Sequence, residues 1–424
     1  MTAVLFSSFL GLMFVGVPIA ASIGLGLLLM SVTGADYSVS YIARSVVASL
    51  DSFPILAIPM FILAGEIMGQ GGISKRLFNF ANACIGGMTG GVAIATVLTC
   101  MLFGAISGSG PATFAAVGTL MIPLMAKQGY DKKFVTGLTA SAGGLGVLIP
   151  PSLPMVMYGI TAGVSIGSMF LAGVIPGIIS GIALMVYSYI QVKRHPLKAD
   201  ADAAERMSVF ASIKDGFWAL LSPVIILGGI YGGIFTPTEA AAVSVVYGVI
   251  IGKFVYKTLD FKMLPKLFLS AASTNAPILL VVAMATVLGK IVSMQKIPTM
   301  IAGAVLGVSS NPIVIMLLIN LLLLLAGMLM ETLAAIIILT PMLLPIAVEI
   351  GVDPIHFGVI MVANLAIGFV TPPIGVSLYT AASITKLPFI DIAKAAAGPI
   401  IALLIALILI ILIPQLSTLL PALV

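Results

Sequence analysis

Apolar residues run through this chain in stretches long enough to cross a lipid bilayer. A transmembrane helix needs about 20 mostly apolar residues. Runs of that kind include Leu10–Met30, Gly216–Phe235, Pro312–Met330 and Ala395–Pro414. The longest polar stretch, Gln191–Asp215, is only the size of a loop. The pattern therefore predicts an all-α polytopic membrane protein without a separate soluble domain.

The composition supports this prediction. Of the 424 residues, 61% are hydrophobic and only 8% are charged, whereas a soluble domain is about a quarter charged. So few charges cannot cover a surface that faces water, and lipid is the expected solvent. The net charge of +5 does not indicate nucleic-acid binding. No Lys or Arg precedes Arg44, so we expect no cleavable signal peptide.

The cysteines and histidines indicate neither a metal centre nor redox chemistry. Cys84 and Cys100 lie on apolar segments, sixteen residues apart, which matches no metal site or redox pair. His195 and His356 are the only histidines in the sequence, too few for a histidine-based metal centre. We therefore expect no cofactor and no enzyme activity.

The sequence contains an internal duplication. A displacement of 222 residues brings matching residues that interrupt helices into register. The matched pairs are Pro123 with Pro345, Gly129 with Gly351, Asp131 with Asp353, Gly146 with Gly368, and Pro150-Pro151 with Pro372-Pro373. We predict a first half-repeat over 1–190 and a second over 216–424, joined by a connector at 191–215.

The two copies differ in charge at the matching turn. The turn at 127–133 contains three lysines, whereas the matching turn contains Glu349 and Asp353 and no base. Basic residues favour the cytoplasmic side, so the first turn and the basic connector face the cytoplasm and the second turn faces outward. The pattern predicts an inverted-topology repeat, as in many secondary transporters. Lys290 and Lys296, which precede the second copy on its outer side, oppose this orientation.

Other charged features have simpler interpretations. Lysines and aromatic residues over 253–266 suggest an amphipathic helix in the membrane interface that leads into the second half, and the preferred interpretation is an arm that anchors the chain in lipid. Glu66 and Glu239 lie near segment ends, where helix capping or a contact within the bundle explains them. Glu331 is the only acid in a long apolar region, and carboxylates inside a membrane are usually functional. We interpret it as support for a cation site, with capping and proton transfer as alternatives.

Four breaks interrupt the apolar segments, two in each half. Broken backbone is tolerated at membrane depth only where protein or a wet cavity surrounds it. The break at Gly104–Thr113 has arms of about a dozen residues, too short to cross a core of about 30 Å. It predicts a re-entrant helical hairpin over about 84–126. The break at Gly327–Thr332 predicts a second hairpin over about 309–348.

The other two breaks contain proline pairs and predict broken transmembrane helices over about 134–165 and 355–385. Proline removes backbone donors and frees carbonyl groups, which are good ligands for Na⁺. Small residues also pack helices closely, and packing is the preferred interpretation for any isolated Gly or Ser. Broken helices at matching places of two halves nevertheless indicate a transport site.

The segments Gly104–Thr113, Gly146–Ser152 and Gly368–Gly375 resemble the large membrane subunit of tripartite ATP-independent periplasmic (TRAP) transporters. The similarity extends over essentially the whole chain. It implies a multi-pass permease of the bacterial inner membrane, with an elevator-type scaffold and transport domain. It further implies Na⁺-driven symport of an organic acid, such as sialic acid or a C4-dicarboxylate. The expected partners are a periplasmic substrate-binding protein and a separate small four-helix membrane subunit.

Carried onto this sequence, the resemblance implies two Na⁺ sites and a substrate site between the tips. The first Na⁺ site comprises Ser107, Gly108, Ser109, Thr113, Gly144, Val147 and Pro150. The second comprises Gly327, Glu331, Thr332, Gly368, Thr371 and Pro372. The substrate carboxylate would bind near Ser109, Thr113, Thr332, Asn364 and Thr371. The second tip lacks the Ser-Gly-Ser-Gly run of the first.

Three other functions remain as alternatives. A stand-alone ion–carboxylate symporter or antiporter of similar build would need no binding protein. An intramembrane hydrolase would have only Ser107 and His356 to work with, and neither Gly-x-Ser-x-Gly nor His-Glu-x-x-His occurs in the sequence. A passive channel would need a ring of pore charges that the sequence lacks.

Overall fold

The computed structural model describes residues 2–33, 37–196, 207–298, 300, 303 and 311–423. Within these ranges the regular elements are helices, and eight of them are long and apolar enough to cross a membrane. The prediction of an all-α polytopic membrane protein is confirmed.

The helices before residue 197 form the first half. Their bounds are α1 Thr2–Phe14, α2 Ile19–Val32, α3 Val39–Leu50, α4 Ala57–Gln70, α5 Ile73–Ile85, α6 Gly91–Ser107, α7 Gly110–Lys127, α8 Lys132–Gly143, α9 Leu153–Ala162 and α10 Ile166–Arg194. A 3₁₀ turn at Phe53–Leu56 leads into α4, and another at Gly144–Val147 extends α8.

The helices after residue 207 form the second half. Their bounds are α11 Val209–Tyr231, α12 Pro237–Ile250, α13 Leu264–Met294, α14 Pro312–Leu329, α15 Thr332–Glu349, α16 Pro354–Gly368, α17 Val376–Thr385, α18 Phe389–Leu412 and α19 Gln415–Thr418. The predicted connector at 191–215 overlaps the end of α10 and the start of α11. Its centre, 197–206, lies outside the described residues.

Helices α6 and α7 form one hairpin, and α14 and α15 form the other. The arms contain 17 and 18 residues in the first hairpin and 18 and 18 in the second. The prediction of arms of about a dozen residues is wrong, because the small residues beside each tip stay helical. At 1.5 Å per residue such an arm spans about 26 Å, still less than a core of about 30 Å.

Each hairpin reverses direction over two residues. Gly108 and Ser109 separate α6 from α7, and Met330 and Glu331 separate α14 from α15. Gly108 has a φ of 63°, a left-handed conformation that glycine adopts without a steric penalty. The first hairpin begins at Gly91 rather than near residue 84, since α5 continues to Ile85.

The two broken helices lie where the proline pairs predict them. Helices α8 and α9 flank the first break, and α16 and α17 flank the second. In both breaks the peptide bond between the two prolines is cis, at Pro150–Pro151 and at Pro372–Pro373. The prediction of two broken helices in matching places is confirmed.

The two broken helices run antiparallel to each other. Lys132 Nζ, at the start of the first, donates to Thr385 O at the end of the second (2.9 Å). The hydroxyl of Tyr158, in the last part of the first, donates to Pro354 O at the start of the second (2.6 Å). Their middles also touch, since a Cβ atom on Gly144 would lie 3.1 Å from Ala366 O. This arrangement confirms the inverted relation of the two halves.

The segment 253–266 is not an amphipathic helix, so that prediction is wrong. A short π-helical turn ends at Val255, and Lys257 takes a φ of 55°. The hydroxyl of Thr258 donates to Gly71 O (2.8 Å), and a 3₁₀ turn at Phe261–Met263 precedes α13. Lysine and aromatic residues alternate here because the segment surrounds a turn rather than one helix face.

Candidate functional site

The first hairpin tip contains a small network of hydroxyl groups. The hydroxyls of Ser107 and Thr113 lie 2.8 Å apart and share a hydrogen bond. Both side chains are buried. The backbone N–H of Ser109 lies 3.4 Å from Ser107 Oγ. Ser109 itself is the residue before α7 and makes no side-chain cap to that helix.

The first tip packs directly on the first break. Leu153 N, at the start of α9, donates to Gly108 O (3.1 Å). A Cβ atom on Gly146 would lie 2.4 Å from Thr113 Oγ1, which shows how closely the break approaches the tip. Ser152 Oγ donates to Val147 O (2.5 Å) and accepts from Met155 N. The tip and the break together present hydroxyl and carbonyl oxygens within a few ångströms.

Glu331 is the residue before α15 and caps that helix. Its Oε2 accepts hydrogen bonds from Leu333 N (2.9 Å) and Ala334 N (3.2 Å). The capping alternative considered for this carboxylate is thus observed. Glu239 likewise caps α12, in a reciprocal hydrogen-bonded pair with Thr236.

The second tip packs on the second break through two glycines. A Cβ atom on Gly368 would lie 2.6 Å from the Cα of Gly327, so no larger residue fits at this crossing. The hydroxyl of Thr371 donates to Ile367 O (2.7 Å). Thr332 is buried at the start of α15. Each half therefore has one tip held against one break.

A cavity of about 730 Å³ lies where the two tips meet α4 and α13. Among the predicted site residues, those that line it are Ser107, Gly108, Ser109, Val147 and Glu331. The lining does not include Thr113, Gly144, Pro150, Gly327, Thr332, Asn364, Gly368, Thr371 or Pro372. Within the second group, Thr113 lies against Gly146 of the first break and Gly327 against Gly368 of the second.

Three helices begin at this cavity. Its wall includes the first residues of α7 (Gly110 and Pro111), of α9 (Leu153 and Pro154) and of α15 (Leu333). The N-terminus of a helix has a partial positive charge, which favours anions. At α9 and α15 the first N–H groups are already paired, since Leu153 N donates to Gly108 O and Leu333 N donates to Glu331. Helix α7 begins without a side-chain cap. The described residues around the cavity include no Lys, Arg or His. These residues therefore provide positive potential in the cavity mainly through their backbone dipoles.

The opposite wall belongs to α4 and α13. On α4 it contains Ile62, Glu66 and Gln70, at successive helical turns. On α13 it contains Thr274 and Ile278, and the hydroxyl of Ser270 donates to Glu66 Oε1 (3.3 Å). The contact within the bundle that the sequence predicts for Glu66 is observed, but its place on the cavity wall is not foreseen. Its spacing of four residues from Ile62 and Gln70 is the signal that could have indicated it.

Asn364, which is predicted to bind the substrate, does not line the cavity. Its side-chain amide donates to Asn320 Oδ1 on α14, and both side chains are buried. Asn320 Nδ2 in turn donates to Met316 O (2.7 Å). The pair joins the incoming arm of the second hairpin to the second broken helix. Asn320 is the only polar residue in the apolar run of α14, a signal that the sequence analysis missed.

The sequence matches known permeases over nearly its whole length. Residues 6–416 match the family described as the DctM component of the tripartite ATP-independent periplasmic transporter. The chain is 49% identical over 407 residues to the isethionate TRAP transporter permease protein DctMQ of Oleidesulfovibrio alaskensis. That alignment covers 96% of this chain and 64% of the relative, which is longer.

Two further relatives align from end to end. The C4-dicarboxylate TRAP transporter large permease protein DctM of Vibrio cholerae is 39% identical over 442 residues, covering 99% of this chain and 97% of the relative. The sialic acid TRAP transporter large permease protein SiaM of the same species is 40% identical over 414 residues, covering 98% and 97%.

A solved structure shares the fold. The crystal structure of the Alcanivorax borkumensis YdaH transporter, described as having an unusual topology, superposes with a TM-score of 0.64 at 14% sequence identity. The superposition covers 92% of this chain and 89% of that one. By its sequence, this chain belongs to the DctM family, the large permease component of TRAP transporters.

Proposed function

We propose that this permease imports an organic acid anion across the bacterial inner membrane, coupled to Na⁺ and by an elevator mechanism. The anion is delivered by a periplasmic substrate-binding protein, and a small four-helix membrane subunit completes the complex. The relatives named for isethionate, C4-dicarboxylates and sialic acid support this substrate class, because all three are organic acid anions. They also favour a transporter over an enzyme.

One observation carries the proposal: the starts of α7, α9 and α15 meet at a single cavity whose described lining has no basic side chain, and the Glu331 carboxylate offsets the positive end of α15. An anion at membrane depth needs compensating positive charge. Helix N-termini supply part of it, and bound cations supply the rest. A cavity of this kind therefore favours an anion that enters together with cations.

The proposed Na⁺ sites are the two pairs of tip and break. The first pair offers the Ser107 and Thr113 hydroxyls, with Val147 at the break. The second offers the Glu331 carboxylate, with Thr332 and Thr371 near the glycine crossing. Oxygen ligands suit a hard cation such as Na⁺. Each Na⁺ that enters gains about 2.3 kcal/mol per 100 mV of membrane potential, so two or more per monoanion make uptake concentrative.

The cavity leads toward the cytoplasmic ends of its helices. Its lining runs along α4 from Ile62 to Gln70 and along α7 from Gly110 to Thr119. Both helices end next to basic residues, at Lys75 and at Lys127, which favour the cytoplasmic side. This placement supports an inward-facing state as part of the proposal. The tips and breaks would move as the transport domain against a scaffold that includes α4 and α13.

Reconstitution with candidate partners tests the proposal against its rivals. We expect labelled organic acid uptake only when this chain, a small membrane subunit and a binding protein are combined under a Na⁺ gradient. Uptake by this chain alone would support a stand-alone symporter or antiporter, and conductance without saturation would support a channel. The hydroxyl of Ser107 pairs with Thr113, which argues against a hydrolytic serine; an acyl-enzyme on Ser107 would refute this view.

A further inference from the structure

We propose that one surface of this chain binds the headgroups of anionic phospholipids in the cytoplasmic leaflet. The surface is formed by residues 71–76, 214–219 and 253–266, and is called the basic surface here. The proposal does not depend on the Na⁺ and anion sites. It extends to three segments, and to one class of lipid, the anchoring that the sequence suggests for 253–266.

The three segments meet through contacts of their own. The guanidinium of Arg76, from the first segment, stacks 3.7 Å above the ring of Tyr256, from the third. Its Nε also lies 3.3 Å from Asp215 Oδ1, in the second segment. The Tyr256 hydroxyl in turn accepts a hydrogen bond from Ala219 N (3.0 Å). Each segment is thus fixed to the other two, and their outer side chains belong to one surface.

The basic surface has a large excess of positive charge. Seven basic and two acidic residues lie in its three segments. Both acids are paired, Asp215 with Arg76 and Asp260 with Lys253. The other five lysines are exposed and form no ion pair with a described residue; they are Lys75, Lys214, Lys257, Lys262 and Lys266. A net charge of +5 is therefore available to an anionic partner.

Aromatic side chains lie among these lysines. Phe254 and Phe261 each expose more than half of their surface, and their ring centres are 6.3 Å apart. Trp218, the only tryptophan in the sequence, is also exposed. Aromatic rings are enriched at the level of the lipid headgroups, and lysines there extend their amines toward water. The combination fits the boundary between headgroups and acyl chains.

An anionic phospholipid satisfies both parts of this surface. Its phosphate pairs with the lysines, and its acyl chains cover the exposed rings. Inorganic phosphate would leave the rings in water, and a zwitterionic lipid brings no net charge. Basic residues favour the cytoplasmic side, which selects the cytoplasmic leaflet. Helix α4 ends beside this surface and α13 begins in it, and both line the cavity, so a bound lipid fixes the depth of that wall in the membrane.

The fluorescence of Trp218 provides a local test. Trp218 lies four residues after Lys214 on α11, on the same helix face. The purified chain is placed in phosphatidylcholine nanodiscs with rising fractions of brominated phosphatidylglycerol or, separately, brominated phosphatidylcholine, whose bromines quench a tryptophan that they touch. We expect half-maximal quenching at a roughly tenfold lower fraction of the anionic lipid. Inorganic phosphate, added at constant ionic strength, should not reverse the quenching.

A double variant removes two of the five unpaired charges. In Lys214→Gln with Lys257→Gln, we expect the preference for brominated phosphatidylglycerol to fall about tenfold. The matched control is Lys127→Gln with Lys394→Gln, which changes the net charge equally at exposed positions of α7 and α18. This control should keep the preference of the wild type. Substitutions at exposed positions of this kind have little effect on folding.

Three results would overturn the inference. The first is equal quenching by both brominated lipids in the wild type. The second is an equal loss of preference in both double variants, which would indicate net charge rather than this surface. The third is loss of the quenching when the small membrane subunit is bound, which would assign the surface to that subunit. Na⁺-coupled uptake is measured separately, so each of these results leaves the proposed function standing.

Discussion

Gly368 and Gly327 cross so closely that a Cβ atom added to Gly368 would lie 2.6 Å from the Cα of Gly327. The first half contains the same contact, because a Cβ atom on Gly104 would lie 2.6 Å from the Cα of Gly146. In both halves a hairpin arm thus rests on a break with backbone against backbone. This contact brings the proposed oxygen ligands of the tip and the break close together. A side chain larger than that of glycine at the crossing would keep them apart.

The variant Gly368→Ala tests this contact in the second half. We expect it to separate the second tip from the second break, since an overpacked crossing costs about 1–3 kcal/mol. Labelled anion uptake in the reconstituted complex should fall at least about tenfold, as expected for a misplaced ion site. The matched control is Gly228→Ala on α11, where an added Cβ atom meets no other atom within 4 Å. Normal uptake by Gly368→Ala would contradict the proposed site.

The hydroxyl pair of the first tip gives a second prediction. Ser107→Ala removes one of the two hydroxyls that lie 2.8 Å apart and with it one proposed Na⁺ ligand. We expect the Na⁺ concentration for half-maximal uptake to rise about tenfold, which corresponds to about 1.4 kcal/mol. Ser188→Ala is the control, because its buried hydroxyl donates to Leu184 O within its own helix. An unchanged Na⁺ dependence in Ser107→Ala would place the cation elsewhere.

The antiparallel contact of the two halves gives a prediction about stability rather than transport affinity. Tyr158→Phe removes the hydrogen bond that the Tyr158 hydroxyl donates to Pro354 O. A buried hydrogen bond of this kind contributes about 1 kcal/mol. We expect a lower thermal unfolding midpoint with an unchanged half-saturating Na⁺ concentration. Tyr189→Phe, on the half-exposed face of α10, should leave both quantities unchanged; a shift as large as that of Tyr158→Phe would contradict the assignment.

A cluster at the start of α5 gives a fourth prediction. The guanidinium of Arg76 stacks 3.7 Å above the centre of the Tyr256 ring, and its Nε lies 3.3 Å from Asp215 Oδ1. Arg76→Lys keeps the charge but loses the planar stacking. We expect it to lower the unfolding midpoint by an amount equivalent to about 1 kcal/mol. The neighbouring exchange Lys75→Arg, at an exposed position, serves as the control, and equal effects of both variants would refute a specific role for Arg76.

Much of this fold could be predicted from the sequence because apolar length and helix-breaking residues are local signals. The proline pairs at 150–151 and 372–373 mark both broken helices. The charge difference between the turns at 127–133 and 349–353 indicates the antiparallel halves, which the Lys132–Thr385 and Tyr158–Pro354 contacts confirm. Hairpin arm lengths were underestimated because glycine and serine beside a tip remain helical when the neighbouring break packs against them.

The cavity wall could not be predicted in the same way, since it depends on which helices meet in space. Glu66 comes to the first tip only because Gly65 allows α4 to touch Ser107, a contact between residues 42 positions apart in the sequence. Asn364 is predicted to bind the substrate, and its partner Asn320 lies 44 positions away. The sequence marks Asn320 as a polar residue within an apolar run, but it does not pair Asn320 with Asn364 or Gly65 with Ser107.

Simultaneous measurement of labelled organic acid and radioactive sodium entry into proteoliposomes tests the central claim most directly. The complete complex, with its small subunit and binding protein, is given an inward Na⁺ gradient, and the Na⁺ is then replaced by K⁺. We expect both labels to enter together, with more than one Na⁺ per anion, and uptake of the acid to cease in K⁺. Acid uptake that continues at the same rate in K⁺ would contradict the claim that the paired tips and breaks bind the coupling cation.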